Sequence, residues 1–220
     1  MGGIQGGTSS NKGNSGPSVT YTEPVIPIPV PDDKSEVVFS DVPAEAWYYD
    51  AVMELASKGV VNGTGDGIFE PQRTISREEF AAILCRAFDI AGKDASQVYS
   101  DIPETAWYNR YVGGAQACGI INGISKTEFG TGLDITRQDM CVMIDRVLKY
   151  KGINTDVQYD NRFSDHTDIS EYAVDSVYAL KRLSVISGRG DNAFAAHEGS
   201  TRAEVAQIIV NAINALLINN

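Results

Sequence analysis

One pattern occurs three times along this 220-residue chain, and it limits the fold more than any other feature, because each copy has the same surface to bury. The copies begin FSDV at Phe39, YSDI at Tyr99 and FSDH at Phe163. Each continues into an apolar-periodic stretch, DAVMELASKGVVNG, RYVGGAQACGIING or DSVYALKRLSVISG, that ends on Gly63, Gly123 or Gly188. Six residues further on stands Phe69, Phe129 or Phe194, and then ISREEF, ITRQDM or STRAEV opens a second periodic stretch. Arg77 and Arg137 lie 60 residues apart, Arg137 and Arg202 65.

The first stretch carries Trp47, Ala51, Val52, Leu55 and Ala56 at helical spacing and stops at Gly59, where glycine suits a left-handed C′ position. The second carries Phe80, Ile83, Leu84, Ala87 and Phe88, echoed by Met140, Met143, Ile144 and Val147 and by Val205, Ile208, Ile209, Ala212 and Ile213. Each copy therefore reads as helix, glycine-rich loop, helix. A two-helix unit of this size buries its apolar stripes poorly alone, so three copies are expected to share one core. The expected fold is all-α, three helix-loop-helix repeats in a pseudo-threefold bundle. Its divisions are a Gly/Ser-rich then Pro-rich linker over 1–38 and repeats over 39–98, 99–162 and 163–220. The proline segment PVIPIPVP bars helix, and its Val and Ile could lie along an apolar groove.

The formal charge of −11 and a pI near 4.6 argue against a surface that tracks nucleic-acid phosphates or anionic membranes, and no segment is net basic. No apolar run reaches the roughly 18 residues a membrane span needs. The opening MGGIQGGTSSNKGNSG lacks the charged then apolar pattern of a secretory leader. Cys85, Cys118 and Cys141 fit neither paired disulfides nor a CxxC metal site, and read as buried thiols.

Three repeated positions ask for more than helix formation. Ser76 with Glu79, Thr136 with Asp139 and Thr201 with Glu204 fit or approximate capping boxes. Arg77, Arg137 and Arg202 follow at N1, where the helix dipole disfavours a cation by about 0.3–1 kcal/mol. Two causes are open: an ion pair with Asp41, Asp101 or Asp165, or an anion site made of guanidinium and free helix N-terminal amides. Trp47, Trp107 and Tyr172 suit either core packing or a platform for a sugar's apolar face. Gly63, Gly123 and Gly188 suit either a positive φ or close backbone approach.

Catalytic patterns are thin. His166 and His197 are the only histidines, and neither an HExxH nor a GxSxG motif occurs. GTGDG and GRGDN lack the GK[ST] of a phosphate loop, and the RGD at Arg189 to Asp191 falls in the repeat's own turn. No metal site, cofactor or catalytic residue is expected.

With FSDVPAEAWYYDAV, GVVNGTGDGIFEPQRTISREEFAAILCR and their echoes in view, the chain from Phe39 onward resembles the S-layer homology domain family in its usual triplicate. The resemblance implies a non-catalytic module that attaches bacterial surface proteins noncovalently to secondary cell wall polymer, often a pyruvylated N-acetylmannosamine glycan, in grooves between repeats. It implies an extracellular, wall-associated location, with covalently linked cargo domains elsewhere in the protein. The implied ligand-binding residues are Asp41, Trp47, Gly63, Arg77, Asp101, Trp107, Gly123, Arg137, Asp165, Tyr172, Gly188 and Arg202. Arginine would take the ketal carboxylate, the aromatic the ring face, and aspartate the sugar hydroxyls or amide. Because copy two loses a loop glycine and copy three has Tyr172 for Trp, grooves built around Arg77 and Trp47 are expected to be the most competent. Rival expectations are a self-assembling lattice module, peptidoglycan binding, and a carbohydrate-active enzyme using carboxylates of the Asp41 type, which requires two carboxyls about 5–9.5 Å apart.

Overall fold

The structure is a computed structural model that describes residues 38–157 and 160–219; residues 1–37 of the linker lie outside it. Six α-helices among the described residues carry the fold: α1 (Tyr49–Ser57), α2 (Arg77–Ala87), α3 (Asn109–Ala117), α4 (Arg137–Tyr150), α5 (Glu171–Arg182) and α6 (Arg202–Asn219). Short 3-10 turns at His166–Asp168 and Gly190–Asn192 belong to the third copy. No strand longer than an isolated bridge occurs among the described residues, so the all-α architecture of three helix-loop-helix repeats holds. None of the described helices is long and apolar enough to cross a membrane.

The helices pair between copies rather than within them. α2 packs on α3, α4 on α5, and α6 closes the ring on α1. A helix in water needs a partner for its apolar stripe, and here each first helix finds the second helix of the preceding copy. Val52 and Leu55 of α1, Phe80 and Leu84 of α2, Met140 and Ile144 of α4 and Ile209 of α6 are all fully buried in one continuous core.

The extended residues just before α2, α4 and α6 meet at the pseudo-threefold axis. Thr74 bridges to Thr201, Ser76 to Asp134 and Thr136 to Gly199, so every copy touches both others. Ile75, Ile135 and Ser200 occupy equivalent places at this junction without solvent exposure; the amide of Ile75 donates to Ser200 O and that of Ile135 to Ile75 O. The third copy breaks the symmetry, because Ser200 Oγ is buried there with no hydrogen-bond partner.

The FSD motif is a fastener for the loop. Phe39, Tyr99 and Phe163 pack their rings on Phe69, Phe129 and Phe194 at centroid separations of 5.3, 5.9 and 5.3 Å, the first two pairs tilted and the third stacked. The following serine amides donate to loop carbonyls of Gly67, Thr127 and Asn192. Gly63 and Gly123 are needed for close approach, not for positive φ: a Cβ would stand 2.6 Å from Ile68 O and 2.2 Å from Glu128 O. Cys85 and Cys141 are buried, and burial pushes both thiols up to about 12; Cys118, at the end of α3, is only half-buried.

Helix ends obey the same repeat. Gly59 and Gly119 adopt the left-handed conformation after α1 and α3, at φ of 66° and 70°. After α5 the same role falls on Ser184, whose φ is 56° and whose Cβ makes that conformation unfavourable by about 1 kcal/mol. Ser184→Gly is therefore expected to raise the melting temperature by about 2–4 °C for a chain of this size. Thermal unfolding followed by circular dichroism measures it, and a lowered midpoint would show that the serine hydroxyl stabilises the turn.

Candidate functional site

Each repeated arginine is buried and crosses into the next copy. Arg77, Arg137 and Arg202 are 5%, 3% and 7% exposed, which excludes a freely hydrated surface charge. Their Nε atoms donate to the carbonyls of Phe129, Phe194 and Phe69 at 3.2, 2.8 and 2.7 Å. Their Nη2 atoms reach the carbonyls of Asn122, Ser187 and Asn62 at 3.4, 3.5 and 2.7 Å. Each guanidinium also lies over the ring of the same phenylalanine, at 5.3, 5.3 and 4.5 Å from its centroid. Burial lowers the pKa of Arg137 and Arg202, and the neighbouring cations Arg189 and Arg73 lower it further.

Both sequence-level accounts of these arginines need correction. Asp41, Asp101 and Asp165 are not their partners: Asp41 accepts from the amides of Phe69 and Glu70, Asp101 from Phe129, Gly130 and Thr131, and Asp165 from Phe194 and Ala195. The aspartate holds the amide and the arginine of another copy holds the carbonyl of one and the same phenylalanine. Nor are the helix-start amides free. The amides of Arg77, Arg137 and Arg202 donate to the carbonyls of Leu133, Glu198 and Arg73, each in the next copy around the ring.

Each guanidinium lines one of three grooves, and its Nη1 atom takes no part in the bonds to the loop carbonyls. The largest, of about 490 Å³, brings Arg77 together with Asn122, Gly123 and Asp139 of copy two and Tyr172 of copy three. A second, of about 380 Å³, joins Arg202 with Asn62, Gly63 and Glu79 of copy one and Trp107 of copy two. A third, of about 180 Å³, joins Arg137 with Gly188, Arg189 and Glu204 of copy three and Trp47 of copy one. Every groove thus draws on all three copies: arginine from one, loop and second helix from the next, aromatic from the one after.

Trp47, Trp107 and Tyr172 are 63%, 57% and 60% exposed, so core packing is not their role. Tyr48 and Tyr108, each packed edge-on against its tryptophan, take the buried place. Arg77 and Trp47 do not share a groove; Trp47 stands with Arg137, and Arg77 faces Tyr172. The ring order of the copies therefore rules out a single groove built by these two residues together. Gly63, Gly123 and Gly188 all line grooves, whereas Asp41, Asp101 and Asp165 are absent from the lining and tie the loops from behind.

Residues that the sequence shows only as members of the apolar stripes complete the floor. Met143, Ile83 and Ile208 occupy one turn beyond the N3 acids of α4, α2 and α6, on the face that those acids share. The acids themselves were legible only as caps. Glu79 and Glu204 do close full capping boxes onto the amides of Ser76 and Thr201. Each is also gripped by an arginine of its own copy, Arg73 or Arg189. Arg189 pairs with Glu198 as well, which places the RGD arginine inside the fold's own ion network.

The S-layer homology domain family model matches residues 38–81, 98–141 and 162–206. Among curated relatives, an amylopullulanase of Thermoanaerobacterium thermosulfurigenes is 33% identical over 175 residues, covering 78% of this chain and 9% of the relative. A surface-layer 125 kDa protein of Lysinibacillus sphaericus is 33% identical over 120 residues, or 53% of this chain and 10% of the relative. The S-layer protein sap of Bacillus anthracis is 29% identical over 174 residues, or 78% of this chain and 20% of the relative. The chain spans a fifth or less of these proteins.

Two predictions follow from the fastening geometry. Arg202→Ala strips the donors from the carbonyls of Phe69 and Asn62, and urea denaturation is expected to show a loss of about 3 kcal/mol. Burial raises the Asp101 carboxyl, but the amides of Thr131, Phe129 and Gly130 more than offset it, so its pKa lies below the ordinary value; Asp165 is lowered in the same way by Phe194 and Ala195. The unfolded chain then binds more protons than the folded one just below the ordinary carboxylate range. The stabilisation is full above about pH 5, a unit above the unfolded value, and is lost as pH falls through the folded-state values. Asp101→Asn should be less stable than wild type at neutral pH and decline less steeply between about pH 4 and pH 2 in the same titration.

Proposed function

The chain belongs to the S-layer homology domain family, and from that premise we propose that it is a non-catalytic anchor that holds a larger surface protein on the bacterial cell wall by binding secondary wall polymer. The observation that carries this reading is the threefold recurrence of an exposed aromatic ring over a groove floored by a buried guanidinium. Such a ring offers an apolar face to a pyranose, and the guanidinium's Nη1 group offers a charge-assisted donor to a carboxylate. An acidic sugar such as a pyruvylated N-acetylmannosamine unit uses both. The acidic chain as a whole repels a polyanion, so attraction is confined to the grooves where the arginines lie.

Three grooves on one rigid ring make binding multivalent, which raises retention well above single-site affinity without new contacts. The cargo is whatever is linked to the module in the full protein, as enzymes and surface-layer proteins are the larger chains to which it is similar. Roles for Asp41, Asp101 and Asp165 in this proposal are indirect: they set the loops on which Gly63, Gly123 and Gly188 lie.

The test is sedimentation with cell-wall sacculi before and after chemical removal of the secondary polymer. Arginine replacement confounds it, because those side chains also knit the copies together. The exposed aromatics carry less of that burden, so a triple Trp47→Ala, Trp107→Ala, Tyr172→Ala variant is expected to stay folded with a melting temperature lowered by a few degrees at most, and to lose pelleting. Pelleting that survives polymer removal would place the ligand in peptidoglycan, and absence of pelleting with concentration-dependent oligomers would favour lattice assembly.

A further inference from the structure

The three grooves differ in what faces the guanidinium edge. In two of them the N3 acid is a glutamate long enough to reach back to its own N-cap amide, and an extra arginine holds it there. Glu204 and Glu79 consequently stand 3.7 and 4.0 Å from the Nη1 atoms of Arg137 and Arg202, beyond hydrogen-bond distance. In copy two the acid is Asp139, one methylene shorter. Thr136 Oγ1 accepts from the Asp139 amide, but no return bond from the carboxylate to the Thr136 amide closes the box.

No copy-two counterpart of Arg73 or Arg189 retains this carboxylate either. The matching positions are Leu133 and Ile124, both exposed apolar residues. Asp139 turns instead into the groove, where Oδ2 accepts from Arg77 Nη1 at 3.2 Å and Oδ1 accepts from the Tyr172 hydroxyl at 2.7 Å. Burial, and then the bond to Asp139, push the Tyr172 phenol up to about 12, so it remains a donor to this carboxylate throughout the neutral range. The shortened acid thus lies on the Nη1 side of Arg77 and links it to the aromatic platform.

We infer that Asp139 is a specificity-determining residue that withdraws Arg77 from anion recognition, leaving Arg137 and Arg202 to take a ligand's carboxylate. This rests on the proposed glycan reading for its biological ligand, but its physical content is independent of the glycan. A carboxylate entering the Arg77 groove meets the negative charge of Asp139 hydrogen-bonded to the Nη1 group it needs, whereas in the other two grooves the corresponding glutamate stands at ion-pair distance without that hydrogen bond and shares its charge with a second arginine.

The experiment is a titration of the isotope-labelled protein with sodium pyruvate, observing arginine guanidinium resonances by NMR. Signals of Arg137 and Arg202 are expected to shift while those of Arg77 stay in place; in Asp139→Asn, Arg77 is expected to shift with the other two. Equal response of all three in the wild type, response of none, or an Arg77 that stays silent in Asp139→Asn would each overturn the inference. So would a wild-type shift at Arg146, which lines the same groove and donates to Ile120 O at 3.4 Å. Unmoved Arg137 and Arg202 signals in the unliganded variant verify that its fold is intact. A parallel titration with the methyl glycoside of pyruvylated N-acetylmannosamine separates the two proposals: if pyruvate gives the expected pattern and the glycoside moves nothing, the glycan reading fails and the role of Asp139 stands.

Discussion

The buried guanidinium that passes from one copy into the loop of the next is the interaction on which the rest of this structure depends. A cation removed from water is costly unless its donors are satisfied, and here backbone carbonyls of a phenylalanine and a loop residue satisfy it while the phenylalanine ring lies beneath it. The cost is met only when the neighbouring copy is present in its native loop conformation. The repeated arginine therefore makes each copy's loop conditional on another copy's helix, and three such dependencies close into a ring.

Groove and fold share these atoms. The Nε and Nη2 donors are spent on the scaffold, and what is left for the groove is the Nη1 group of the same planar side chain, held by the bonds behind it. A ligand meeting that group pays little to order it, since the side chain is already immobile. The same economy explains why the early aspartates stand behind the site and not in it. By fixing the amides of the phenylalanine and its successor, they present the phenylalanine carbonyl to the arginine. The geometry of each groove is thus relayed from Asp to loop to Arg, across two copies.

Much of this was legible along the chain and some of it was not, for a physical reason. The periodic stripes of α1 to α6, the Ser76 and Thr201 capping boxes and the left-handed Gly59 are local, set by residues within one or two helical turns, and one-dimensional reading reaches them. The composition of each groove is not local. It depends on which copy follows which around the axis, and that is decided by the closure of α6 on α1. Hence Trp47 was associated with Arg77 when the ring sets it beside Arg137. The arginine's true acceptors are carbonyls of Asn62, Asn122 and Ser187, and main-chain acceptors leave no trace in residue type. The tilt of Asp139 out of its cap was visible only as a Glu-to-Asp difference between copies, which acquires meaning once Tyr172 is known to stand opposite.

Closure of the ring also orders events in time. The bond from Arg202 to Phe69 joins residues 133 positions apart, and the one to Asn62 spans 140. A chain made, or threaded through a membrane, from its N-terminus displays the first copy long before the third exists. Through that interval α1 has no second-helix partner and the Phe69 loop no cation, because both come from the last segment to emerge. Productive folding of the first copy must wait for the final helix, and the pause, with apolar surface uncovered, lengthens with every residue of delay. A nascent module of this design completes two of its three grooves only upon delivery of its last helix.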